Sequence, residues 1–195
     1  MLLVVGVFVD PDIDASGREL ARAYAENPDQ EQISALAFHF AFVMWAPIVF
    51  ALVGLVRGRG AWLANIAAVL AVLGATTLPG FLLTDFYDIA IYGELGGDAW
   101  QQVNDRIEEL PGALVLFITG FLGHMLSLPI VLFAAWRGGL VALWVPIAMT
   151  LTIVAAQALQ PFGSGLLILA VMLVVLAYVL SKLDWTGRGA TTMSP

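Results

Sequence analysis

The side chains able to do chemistry are sparse and lie inside apolar surroundings. Both histidines, His39 and His124, interrupt long hydrophobic stretches, and Thr76, Thr77, Thr119, Thr150 and Gln157 do the same at neighbouring depths. A neutral imidazole offers one donor and one acceptor, and a hydroxyl or amide offers both. In lipid each such group is costly unless it finds a partner or lines a cavity. These side chains therefore predict a polar vestibule that could bind a ligand. The competing reading is structural, with each hydroxyl bonded back to a carbonyl of its own helix or across to a neighbouring one.

Two membrane histidines raise the possibility of b-type haem held by paired imidazoles. At ~1.5 Å per residue His39 lies ~9 Å and His124 ~18 Å below the same ends of their stretches, an offset that opposes a shared iron. Haem is thus an alternative, and otherwise no cofactor is expected. Metal binding has too few ligands, since the chain has no cysteine and no carboxylate in an apolar stretch. Ser127 follows His124 by one helical turn but lacks an oxyanion loop or a third partner, so no catalytic residue and no enzyme activity are expected. Arg57-Gly58-Arg59-Gly60 lacks phosphate-loop spacing. A net charge of −7 argues against nucleic acid.

All 15 acidic residues but Asp184 fall between Asp10 and Glu31 or between Asp85 and Glu109. Asp10, Asp12 and Asp14 alternate like the start of a calcium loop. Ala15 stands where the glycine belongs, however, and Ala21 where the bidentate glutamate belongs, so a solvated acidic linker is the simpler expectation.

The elements that position these residues follow from composition. Hydrophobic residues make up 61% of the 195 and charged ones 12%, with a mean hydropathy of +0.92, far from a soluble domain. The reading is an all-α integral membrane helical bundle in a lipid bilayer. It has five full transmembrane helices at 33–56, 61–83, 112–136, 140–159 and 165–181, each near the ~20 residues that cross about 30 Å of hydrocarbon. The Arg57–Arg59 and Arg137 loops and the 182–195 tail carry most of the basic residues. The positive-inside rule makes them cytoplasmic and puts the acidic segments 10–32 and 84–111, with the Gln160–Gly163 turn, outside. Residues 1–9 are wholly apolar but reach only about 14 Å. They read as part of a first span that begins upstream, or as a segment lying in the outer interface. Ser16 with Glu19, and Asp98 as an N-cap, predict two short outer amphipathic helices. The stripe Ala64, Ala67, Ala68, Ala71, Gly74, Ala75, and Gly120 with Gly123, predict close helix packing.

An early histidine (His39), Pro47-Ile48-Val49, the Arg57-Gly58 hairpin and the Ala/Leu/Val/Gly-rich span after it resemble a group of small multi-span membrane proteins of high-GC actinobacteria, over residues 33–137. That resemblance implies a bacterial inner membrane and brings no activity with it. The expected function is non-enzymatic: binding or sensing a small molecule or cation from the outer side, or accompanying a partner membrane protein or a second copy of the chain. A permease for a small solute, and the haem protein using His39 and His124, are the alternatives.

Overall fold

Every regular element among the described residues, 1–158 and 164–181 of a computed structural model, is helical. In chain order they are α1 (Leu2–Val9), α2 (Gly17–Glu26), α3 (Pro28–Val43), α4 (Trp45–Leu55), a 3-10 turn (Gly58–Gly60), α5 (Ala61–Phe81), α6 (Leu83–Leu95), α7 (Gly97–Glu108), α8 (Pro111–Arg137), α9 (Trp144–Ala158) and α10 (Ser164–Ser181). The expected turn at 160–163 and the expected tail at 182–195 lie outside the described residues.

Prolines and glycines set the helix limits. Pro28 and Pro111 open α3 and α8, where a missing amide hydrogen costs nothing. Pro47 has no N–H to donate to the carbonyl of Val43, and that is where α3 gives way to α4. Gly139, at φ 75°, closes α8: its N–H donates to Trp136 O and the Leu140 N–H to Ala135 O, both at 2.9 Å.

Three helical stretches are long and apolar enough to cross a membrane: Pro28–Leu55, Gly58–Leu95 and Pro111–Arg137. Trp144–Ala158 and Leu167–Val179 are shorter apolar helices. The helix expected from residue 140 begins only at Trp144, after the Gly138-Gly139 turn. Residues 84–111, read as a surface segment with one short helix, instead hold all of α6 but its first residue and all of α7.

The small-residue stripe builds the centre. Ala64, Ala67 and Ala71 of α5 are buried. A Cβ added to Gly74 would come within 2.6 Å of the His124 backbone nitrogen, and one added to Gly123 within 2.6 Å of Leu70 O. Only glycine allows the α5 and α8 backbones to meet in this way. Val49 and Leu52 of α4, Leu128 and Leu132 of α8 and Met149 of α9 complete the core. At one end α1 lays Leu3 and Val7 against Phe38 and Ala170, with Gly6 facing the Phe38 ring.

Candidate functional site

At the end of the bundle that carries α2, α6 and α7, carboxylates turn inward. Glu31 lies in the first turn of α3, where acids favour the positive helix end. One turn later Ser34 lies on the same buried face. On α6, Asp85, Asp88 and Tyr92 follow the i, i+3, i+7 spacing of a single face. On α2, Ala21 and Tyr24 form the buried stripe that packs on α6. Asp10 comes from the linker between α1 and α2, where it accepts the Asp12 N–H at 3.1 Å. The result is a cluster of Asp10, Tyr24, Glu31, Ser34, Asp85 and Asp88.

Glu31 is only 1% exposed and its Oε2 has no hydrogen-bond partner. The Ser34 hydroxyl lies 3.2 Å from Gly6 O and 3.4 Å from Asp10 Oδ2. Asp88 Oδ1 accepts the indole N–H of the buried Trp100 at 2.5 Å, which ties α7 to α6. The two basic side chains of α2 are bound elsewhere: Arg18 pairs with Asp98 at 2.9 Å and reaches Tyr92, and Arg22 lies 3.8 Å from Glu26. Asp98, expected as an N-cap, is therefore an ion-pair partner, and Gly96 at φ 81° takes the cap position of α7.

Glu31, Asp85 and Asp88 lie near the ends of the long helical stretches Pro28–Leu55 and Gly58–Leu95, outside the apolar spans expected at 33–56 and 61–83. Burial pushes Glu31 up to about 9, helped by the charges of Asp85, Asp10 and Asp88. Burial lifts Asp85 to about 7, with Asp88 and Asp10 adding to it. Asp88 is raised by burial against the Trp100 hydrogen bond, and Asp10 by burial against the Asp12 amide and the Ser34 hydroxyl. Tyr24 is driven far above its ordinary range by burial and then by these same acids. A cluster in which like charges share a desolvated space holds protons that isolated carboxylates would release. Among the described residues, no three His, Asp or Glu side chains are placed to share a metal ion. Asp12 is exposed while Asp10 turns into the cluster, so the alternating aspartates do not act together.

Beside the cluster runs a groove of about 790 Å³ between α6, α7 and the start of α8, to which Asp88 also belongs. Its walls include Phe81, Tyr87, Trp100 and Phe117, and its polar groups include Asp88, Asn104 and Glu108.

The side chains expected to form a vestibule are distributed differently. His39 Nδ1 lies 3.2 Å from Pro79 O. His124 is 1% exposed and both of its ring nitrogens lack hydrogen-bond partners. Trp45 stacks on that ring at 4.2 Å and Phe42 meets it edge-on at 5.0 Å. His39 meets Phe40 edge-on at 5.4 Å, so the two imidazoles engage different rings. Thr76 bonds Val72 O, Thr77 bonds Leu73 O and Thr150 bonds Pro146 O, all carbonyls of their own helices. Thr77 also faces Gly120 across the α5–α8 contact. Thr119 and Gln157 are half-buried on α8 and α9. None of these side chains lines the groove.

The cluster escapes sequence reading because its acids look like solvated loop residues. The available signal is the common face of Asp85, Asp88 and Tyr92, and the pairing of Glu31 with Ser34 one turn later. The chain matches no protein-family model, no curated protein and no solved structure.

Proposed function

We propose that this chain is a multi-span protein of a bacterial cytoplasmic membrane, with a non-enzymatic role as a sensor of protons on the outer side. In this reading it has five full crossings and a partial N-terminal apolar segment, with the two acidic segments outside and the basic loops and tail in the cytoplasm. The observation that carries it is Glu31, buried with an oxygen that no group satisfies and surrounded by further acids from α6 and the α1–α2 linker. A carboxyl in that position is stable when protonated and strained when ionised. Ionisation acts on the elements around it, namely α6, α2 and residues 10–16. A rise in outer pH through the range near 7 to 9 thus becomes a loosening of that cover.

Amide hydrogen exchange of the purified protein in a neutral maltoside micelle tests this directly, after correction for the intrinsic pH dependence of exchange. Protection across residues 10–26 falls between about pH 6 and about pH 9 in the native chain and falls clearly less in Glu31→Gln, where Asp85 alone titrates near 7. Equal protection at both pH values in the native chain would reject the sensor. Topology is read separately. The chain has no cysteine, so Asp98→Cys labels from outside in intact cells with an impermeant thiol reagent and Arg59→Cys does not. Outside labelling at residue 59 reverses the orientation.

A further inference from the structure

We infer that the groove between α6, α7 and the start of α8 is a binding site for an organic ammonium ion carrying an apolar body. Its volume of about 790 Å³ is that of a small-molecule site. The walls are largely apolar: Phe81 meets Phe117 edge-on at 5.6 Å, Leu114 and Tyr87 share the lining with them, and Trp100 reaches Asp88. Two acids face the space, Asp88 and Glu108, and no lysine or arginine lines it. Each acid is oriented by a neighbour: Asp88 Oδ1 holds the Trp100 indole N–H, and Glu108 Oε1 accepts from Asn104 Nδ2 at 2.9 Å. The basic residue on this helix, Arg106, pairs with Glu109 at 2.7 Å.

These features select for charge as well as shape. An anion or a phosphate-bearing headgroup would meet two carboxylates and no counter-charge. An uncharged apolar molecule would cover the two acids without supplying a counter-charge. An ammonium group answers them, and aromatic faces at the same site add cation–π attraction while accommodating a hydrocarbon or aryl body. The inference touches the proton-sensor reading through Asp88, which belongs to both cluster and groove. Glu31 and Glu108 each belong to one alone.

The test uses the full chain in a maltoside micelle and titrates phenylbutyltrimethylammonium, with uncharged phenylbutanol as the comparison, by calorimetry. The ammonium saturates a single site and the alcohol binds at least about tenfold more weakly, the scale of one lost charge-assisted contact. Glu108→Gln weakens the ammonium by about tenfold and leaves the pH-dependent exchange of residues 10–26 unchanged. Glu31→Gln does the reverse, so the two readings fail independently. Asp88→Asn weakens binding by a similar factor, provided circular dichroism and gel filtration show that it folds as the native chain does. Glu108 is exposed, so its variant keeps the test decisive if the Asp88 variant misfolds. The site is rejected if the native chain shows no saturable ammonium binding, if the alcohol binds as well as the ammonium, or if Glu108→Gln binds like the native chain. Displacement of the probe by phosphatidylethanolamine vesicles, but not by phosphatidylglycerol vesicles, would assign the groove to a lipid headgroup and overturn the soluble ligand.

Discussion

The α5–α8 seam and the acidic end of the bundle solve the problem of polar groups in opposite ways. In the seam, backbones approach through Gly74, Gly120 and Gly123, and the hydroxyls of Thr76 and Thr77 are absorbed by their own helix. The exception beside the seam is His124, enclosed by Trp45 and Phe42 with both ring nitrogens unpartnered. At the acidic end the polar contacts run between elements, from Trp100 to Asp88 and from Ser34 to Gly6 and Asp10, while Glu31 keeps an oxygen unsatisfied. Close packing gives the first region its rigidity. Incomplete pairing gives the second its capacity to respond.

The largest effect expected from breaking this contrast lies in the seam. Gly74→Val drives a side chain into the backbone of Gly123 and His124 and destabilises the bundle by about 3 kcal/mol or more. Gly80→Ala, on the same helix but facing open space, is neutral or gains up to ~1 kcal/mol. Thermal melting in micelles separates them, and equal melting of the two variants would show that the seam is not tightly packed.

A smaller effect, dependent on pH, belongs to Glu31. The folded chain holds this proton up to about 9 against an ordinary value of 4.5, so the native state binds more protons than the unfolded one between those limits. Stability contributed by the group is therefore fully present below about 4.5 and lost as pH rises toward about 9. Glu31→Gln removes that slope: the variant matches the native chain near pH 5 and exceeds it by about 2 kcal/mol near pH 9. Melting curves across this range check it, and parallel profiles for the two proteins would place the carboxyl in contact with water.

The smallest effect is at the Arg18–Asp98 pair. Both side chains are largely exposed, so Arg18→Ala lowers the melting temperature only slightly, and less at high salt. A double-mutant cycle with Asp98→Asn sharpens the comparison. A coupling of several kcal/mol would make this pair, rather than the buried acids, the main tie between α2 and α7.

The two regions were also unequally readable from the sequence. The seam was open to inspection because small residues at helical spacing have one use in apolar helices, and the ends of α8 are marked by Pro111 and by Gly138-Gly139. The helices α2 and α7 were likewise evident from their apolar stripes. The helix α6 was hidden because its inward face carries Asp85 and Asp88, the reverse of the usual pattern in which acids mark the solvated side. Glu31 was hidden for a related reason: an acid in the first turn of a helix has an ordinary electrostatic role, and its burial depends on α6 and the α1–α2 linker, both remote in sequence. Thr76, Thr77 and Thr150 drew attention through their cost in lipid, which carbonyls of their own helices meet.

The position of Ser34 ties the N-terminal helix to the protonation of its neighbour. A serine hydroxyl has one hydrogen to give, and two acceptors compete for it: the Gly6 carbonyl of α1 and the carboxylate of Asp10. An ionised Asp10 draws the hydrogen toward itself and releases the α1 carbonyl, whereas a neutral Asp10 leaves it with α1. The hydroxyl is in effect a single-pole switch, with the charge of one aspartate deciding which contact it closes.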